Sequence, residues 1–448
     1  DVAGIASRLH KAGSKAMIIS GSNDIECQLL INAINHLLGN SGVCIDYNTS
    51  LNIEPGSDTE IAELVNRLEK DEVGAILMHN VDPVYDYPES ERFSDALKNA
   101  DLTVSFASSS QQTAAACEFV CPDHHYLESW GDANYLSNEV TLTQPCIHPV
   151  FNTRSLPDTL LKWMGLEKDY YTYLMEFWKK NFYTGKGSFE NFWKSSLRDG
   201  VLATDNYIEN RNYKATPLNI SFSDPLKEDG MELCLVESVQ LGDGRNANNP
   251  WLQELPDPVA KLSWDNALSV APADANRMGI SNGDMVSIDN DLEVPVLIQP
   301  GQADGTCSLP LGYGRKNSGK VADNVGVNAY PLVKVSEENR IYYRENISLQ
   351  PTGKNIILAL SQTHNSMEGR PIVRETSLPE YLKSPDAGNE MHEYNESHHK
   401  TLYPDPEFNG FHWGLAVDLN ACVGCNTCVI ACQAENNIPV VGKEEVYR

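Results

Sequence analysis

The chain has 448 residues, 41% of them hydrophobic, and a formal net charge of −28. That length suits about three domains, and the acidity would repel a phosphate backbone, which excludes nucleic acid as a partner. No stretch reaches the roughly 18 apolar residues that a membrane helix needs, so the chain is expected not to span a bilayer.

Within a first domain placed at 1–150, residues 15–130 alternate short apolar runs with amphipathic stretches. Strands are predicted at Ala16–Ser20, Val43–Asp46, Gly74–His79 and Leu102–Phe106. Helices are predicted at Ile25–Leu38, ending on Gly39, then at Thr59–Lys70 and Arg92–Asn99. This alternation argues an α/β domain, a doubly wound parallel sheet covered on both faces. Ligands bind such sheets at the carboxyl ends of the strands. The loops there are Gly21–Asn23, Asn80–Pro83 and Ser108–Gln111, small and polar. There is no full G-x-G-x-x-G, so a nucleotide-like ligand is only weakly signalled.

Residues 151–215 read as a helical segment, with helical spacing at Leu160–Leu166 and Tyr170–Asn181. Trp163, Phe177, Trp178, Phe182 and Trp193 are read as core and interface residues, in helices packed against the sheet. Residues 216–365 change character. Short strand-like runs at Leu233–Val239, Met285–Ile288, Val294–Ile298 and Thr306–Leu309 are broken by Gly, Asp and Pro turns, with a helix at Ala271–Met278. This reads as a small β-barrel domain. Residues 366–408 have a polar linker composition, and 409–448 begin an α+β, ferredoxin-like segment.

That last segment holds the most specific chemistry. Cys422, Cys425, Cys428 and Cys432 form a C-x2-C-x2-C-x3-C run. Three thiolates at this spacing hold one [4Fe–4S] cluster, and the fourth ligates a neighbour. Val423, Gly424, Asn426 and Thr427 are small or polar and let amides approach the sulfurs. A zinc knot usually pairs two well-separated C-x2-C units, and four thiols this close rarely form disulfides. Gln433, not Pro, follows Cys432. The ligands that complete both clusters are expected beyond Arg448. The other cysteines are scattered and make no disulfide framework; they fit buried thiols.

Several phrases together resemble the molybdopterin oxidoreductases. They are Asn35-His-Leu-Leu-Gly39-Asn40-Ser-Gly42, the Asn80–Pro88 loop, Thr113–Pro122 followed by Leu127–Asp132, and Ala271–Asp284. The last is similar to the signature S-P-x-x-A-x-x-x-G-I-x-x-G-D. Val296–Gly301 and Leu309–Arg315 resemble the strands after it. Asn248–Val259, Asn324–Pro331 and Cys432–Gly442 are similar to one branch, the iron–sulfur B subunit of alternative complex III, a bacterial quinol:electron-acceptor oxidoreductase.

The resemblance implies a respiratory electron-transfer subunit with 4Fe-4S clusters, and 3Fe-4S clusters on ligands past residue 448. Its molybdopterin-like part would be a scaffold without pterin. The implied partners are multi-haem and mono-haem cytochrome c subunits, an integral membrane quinol-oxidising subunit and a terminal oxidase. The implied location is the periplasmic face of the inner membrane. Earlier domains and a metal ligand of the catalytic enzymes have no counterpart in the sequence.

Other residues have plainer readings. Cys117 and Cys121 with His124 and His125 could form a Cys2His2 site, but packed thiols are expected instead. His392, His398 and His399 are read as solvated linker side chains. Glu128 is expected to bond backbone. Gly312 and Gly314 allow close approach, to pterin in active relatives or to protein here. Two alternatives stay open: a catalytic molybdopterin oxidoreductase, and an interaction protein with one structural metal.

Overall fold

The structure is a computed structural model. It describes residues 2–46, 49–53, 56–204, 230–335, 339–361, 366–370, 372–388, 409–411 and 414–448. His392, His398, His399 and His412 lie outside the described residues, as does the linker from 389 to 408.

The first unit holds a parallel sheet of three strands, Ala75–Met78, Leu102–Ser105 and Phe119–Val120, paired in that order. Helices Asp58–Glu69 and Ser90–Leu97 cover it through Val65, Leu68, Phe93, Ala96 and Leu97, packed on Ile76 and Met78. The opposite face is only partly covered, since Leu77 is 49% exposed. The sheet is therefore smaller than a doubly wound one.

Two predicted strands are absent. Ala16–Ser20 is irregular, and Val43–Asp46 lies in a turn held by a bridge between Ser41 and Ile45. At Val43–Ile45 the amides turn back onto Asn40 O, and at Ala16–Ser20 the reason is Asn35, on the inner face of helix Ile25–Leu38. Its side chain accepts from Ile18 N at 2.9 Å and donates to Ile18 O at 2.8 Å. Those backbone groups are thus bound to a helix side chain rather than to a ladder. The helix itself matches its prediction: Asp24 caps its start and Gly39, at φ 77°, ends it.

Most of the helical segment packs on its own antiparallel sheet, Gly131–Leu136, Glu139–Thr143 and Val201–Ala203. Helices Tyr170–Asn181 and Phe189–Asp199 close over Val140 and Leu142, while helix Leu156–Trp163 reaches the parallel-sheet unit, the Trp163 ring lying 6.0 Å from that of Phe106 and Leu156 N donating to Asp123 at 2.8 Å. Trp178 and Trp193 are buried there, whereas Trp163 and Phe177 are exposed. Trp178 Nε1 donates to Asp132 at 2.9 Å, so the buried indole has its partner.

The third unit is a seven-stranded mixed sheet. In spatial order its strands are Tyr343–Ile347, Met231–Val236, Thr306–Pro310, Leu268–Val270, Leu292–Ile298, Asp284–Ile288 and Leu349–Asn355. The two edge strands are neighbours in sequence, joined by Ser348 alone. Laid flat, they would stand roughly 29 Å apart at about 4.8 Å per step. One residue cannot span that, so the sheet is curled until its two edges approach each other. Leu233, Leu268, Val270, Val286, Ile288, Val294, Val296 and Leu309 fill it, all fully buried.

Residues 409–448 contain helices Thr427–Glu435 and Lys443–Tyr447 and, among the described residues, no strand. The α+β character expected of this segment is therefore not present in these residues. In the linker, Ser377 caps a short helix, Leu378–Lys383.

Candidate metal centre

Cys422 and Cys425 lie in the loop before helix Thr427–Glu435, and Cys428 and Cys432 stand one turn apart on it. All four are exposed and free of disulfides. Gly424 and Asn426 take positive φ, 69° and 62°, which folds the loop back between the thiols. Cys425 Sγ lies 3.1 Å from Thr427 Oγ1, and hydrogen bonds from the Thr427 hydroxyl and amide lower its pKa. Asn436 Nδ2 donates to Cys432 Sγ at 3.4 Å. The donor set is all thiol, one sulfur already favoured as thiolate, with polar groups aimed at sulfur. That chemistry fits an iron–sulfur centre. No three His, Cys, Asp or Glu side chains among the described residues converge as a metal-holding group, these four included. Val423, expected in an apolar shell, is 85% exposed.

The segment is seated on the barrel unit. Asn426 Nδ2 donates to Pro256 O at 2.8 Å. Trp251 Nε1 donates to Ile438 O at 2.9 Å. The Glu254 carboxylate accepts from Val441 N at 3.1 Å and Gly442 N at 2.8 Å. Lys443 Nζ lies 2.5 Å from Asp265. Neither composition nor spacing pointed to Trp251, Glu254 or Asp265. Asn248–Val259 stood out only through its resemblance.

A second concentration of polar chemistry joins the α/β unit to the barrel. Arg315 is 5% exposed and pairs through Nη1 with Asp82, while its Nε donates to Gly244 O at 2.9 Å. Its guanidinium lies 3.9 Å from the centre of the Tyr85 ring, a cation–π contact. Asp82 also accepts from Thr113 N at 2.9 Å and Oγ1 at 2.6 Å. Tyr85 OH donates to Tyr313 O at 2.8 Å. Beside this network is a cavity of about 470 Å³ lined by Asp86, Glu237, Asp243, Tyr330, Arg340 and Tyr342. Burial pushes the Asp86 carboxyl up to about 6, against the opposing pull of Arg340.

The glycines of the loop after Thr306–Pro310 face protein. A Cβ on Gly314, at φ 70°, would meet Asn328 N at 2.0 Å, and one on Gly312 would meet Gly242 O at 2.8 Å. Their close approach is accounted for by the chain's own backbone. At the carboxyl ends of the parallel strands, Ser108, Ser109, Ser110, Gln111 and Asn317 line a cavity of about 460 Å³, where the strand order led one to expect it.

The remaining candidates resolve simply. Cys117 is half-buried, with its pKa raised by burial, and its thiol donates to Thr113 O at 3.1 Å, as a packed thiol should. Cys121 is exposed, as are Cys44, Cys146 and Cys234, so the expectation of buried thiols holds for Cys307 and fails for these. The strand Phe119–Val120 that leads to Cys121 runs along the sheet edge with both side chains outward-exposed, which carries the thiol to the surface. No Cys2His2 site forms. Glu128 accepts from Val150 N at 2.8 Å and His125 N at 2.9 Å, the backbone role expected of it.

No protein-family model matches the chain. It is 25% identical over 283 residues to the menaquinone reductase, molybdopterin-binding-like subunit, of Nitratidesulfovibrio vulgaris; the match covers 59% of this chain and 39% of that protein. A 26-residue stretch, 6% of this chain and 10% of the relative, is 62% identical to the menaquinone reductase, iron-sulfur cluster-binding subunit, of the same organism. Over 166 residues it is 28% identical to the arsenate respiratory reductase molybdopterin-containing subunit of Chrysiogenes arsenatis, covering 32% of this chain and 19% of the relative. Among solved structures, acetylene hydratase from Pelobacter acetylenicus is similar at a TM-score of 0.46 and 16% identity, over 65% of this chain and 46% of that one. The chain spans less than half the length of these curated relatives. It is similar to a molybdopterin-like and to an iron–sulfur subunit of a quinone-linked reductase, both within one polypeptide.

Proposed function

We propose that the chain is the iron–sulfur electron-transfer subunit of a membrane-associated respiratory quinol oxidoreductase, of the alternative complex III kind. The observation that carries this reading is the exposed, unpaired run Cys422, Cys425, Cys428 and Cys432, in the same chain as a body similar to a molybdopterin-binding-like subunit. Cys422, Cys425 and Cys428 would hold one 4Fe-4S cluster, and Cys432 would reach to its neighbour. Such clusters supply single-electron transfer at a potential set by sulfur ligation, hydrogen bonding and exposure.

The chain's own residues hold the thiols in line: Thr427 favours the Cys425 thiolate, Asn436 donates to the Cys432 sulfur, and the barrel seats the loop. The body serves as scaffold without pterin. Gly312 and Gly314 support that reading, since the chain's own backbone fills the space beside them. The acidic surface suits basic c-type cytochrome partners. Electrons would arrive from a membrane subunit that oxidises quinol and leave through haem subunits to a terminal oxidase, on the periplasmic face.

Iron and molybdenum analysis of the purified native assembly tests this. Several irons and no molybdenum per chain is the expected result. One molybdenum per chain overturns the scaffold role and makes the body part of a catalytic molybdopterin enzyme. Absence of redox-active iron leaves an interaction protein with a structural metal.

A further inference from the structure

The contacts between the cysteine segment and the barrel form a series. Asn426 meets Pro256, Ile438 meets Trp251, Val441 and Gly442 meet Glu254, and Lys443 meets Asp265. Anchors that span residues 426–443 thus fall on a stretch of only fifteen residues, 251–265. All but the last involve a backbone amide or carbonyl on one side, so they fix the path of the chain rather than a side-chain rotamer.

Asn426 is the telling member. It sits between Cys425 and Cys428, immediately before helix Thr427–Glu435, where Asn usually caps the first turn. It makes no cap hydrogen bond. Its amide is instead spent on the Pro256 carbonyl, and its backbone is held at φ 62°. The receiving stretch is itself strained and braced. Trp264 adopts φ 64°, a left-handed conformation that a bulky residue rarely takes. Its N–H donates to Gln253 O at 3.0 Å and its indole to Glu254 at 3.2 Å. Gln253 and Leu255 are buried, which anchors the stretch in the barrel unit.

We infer that residues 251–265 are a preformed seat for the cluster-ligand segment, and that Asn426 is the positioning residue that fixes the loop carrying Cys425 and Cys428. This rests on the cluster reading above and adds to it a part of the barrel that sets the surroundings of the centre. Fixing the loop that carries Cys425 and Cys428 fixes which groups face their sulfurs, and hydrogen bonding there tunes a cluster's potential.

The test uses the full protein in two states, with Asn426→Ala, Asn426→Gly, Trp251→Phe and Glu254→Ala. In the iron-free state, hydrogen exchange reads the seat. We expect the amides of Val441 and Gly442 to exchange at least about tenfold faster in Glu254→Ala, the loss of roughly 1.4 kcal/mol of local protection. Unchanged exchange in both Glu254→Ala and Trp251→Phe overturns the seat. After anaerobic reconstitution with iron and sulfide, the reduced EPR spectrum and midpoint potential read the positioning. Asn426→Ala should shift both at unchanged iron content, while Asn426→Gly, which keeps the positive φ, should shift them less. An Asn426→Ala spectrum and potential identical to wild type overturn the positioning role. A wild-type protein that takes up no iron overturns the positioning role and the cluster reading together, while the exchange data still decide the seat.

Discussion

Two seams run through this molecule, and they are built on opposite terms. The seam between the α/β unit and the barrel is buried and ionic: Asp82 and Arg315 have side chains 8% and 6% exposed, wrapped by Thr113, Tyr85 and Gly244. The seam between the barrel and the cysteine segment is more open, made mostly of hydrogen bonds to backbone, with one ion pair between a partly exposed Lys443 and a nearly buried Asp265. A buried pair is strongly destabilising when one partner is removed, because the other charge is stranded. A single pair with one partner still reaching water, like Lys443 with Asp265, contributes less. The first seam therefore makes two units act as one body. The second sets the position of a segment without adding much to global stability.

The largest expected effect breaks the first seam. Arg315→Ala should lower unfolding stability by about 3–5 kcal/mol, because it leaves the Asp82 carboxylate buried and unpaired. Arg315→Met combined with Asp82→Asn should lose less than Arg315→Met alone. Urea denaturation of the three variants checks both statements. A loss under about 1 kcal/mol for Arg315→Ala would show that the two seams are alike.

Asp86 sharpens the same comparison through pH. Its carboxyl is raised from 3.8 to about 6 by burial. A raised acid is protonated in the native state while the unfolded chain has already lost its proton. Stability from this group is thus full below about pH 4 and falls as pH rises to about 6, then stays lower. Asp86→Asn keeps the neutral form at every pH. It should raise stability at pH 7 by about 1–3 kcal/mol and flatten the slope between pH 4 and 6. Thermal unfolding across that range measures it.

At the second seam, Lys443→Ala should cost about 1–2 kcal/mol, because Lys443 is 37% exposed but the Asp265 carboxylate it leaves unpaired is only 10% exposed. The smallest effect is local. Thr427→Val removes the hydroxyl beside Cys425 and should raise the thiol's pKa, so that iodoacetamide alkylates Cys425 more slowly near neutral pH, with no change in melting temperature. Mass spectrometry of the labelled peptide reads it.

The barrel and the helices with strong caps were legible in the sequence because local signals agreed. Ile25–Leu38 has an Asp before it and a Gly after it, and Met231–Val236 alternates buried and exposed residues. Ala16–Ser20 misled because an apolar run says nothing about a distant asparagine that captures its backbone. Phe119–Val120 was missed because two residues carry no period. At the candidate site, the cysteine spacing was plain. The seat was not, since Trp251 and Glu254 act on backbone groups, and Asp265 on the Lys443 ammonium, nearly two hundred residues away along the chain, and such contacts leave no local pattern. The Asp82–Arg315 pair was hidden for the same reason.

The strand that closes the barrel also sets an order in time. Tyr343–Ile347 and Leu349–Asn355 are one continuous run that completes both edges at once. Until that run leaves the ribosome, Met231–Val236 and Asp284–Ile288 each present an unpaired edge, and the barrel stays an open template for wrong partners. Residues 251–265 belong to this unit and gain their rigid backing only when it shuts. The cysteine run lies further downstream, so vectorial synthesis delivers the thiols after their support is built. A truncation that spares every cysteine but removes residues 343–355 would leave the loop with nothing firm to rest on.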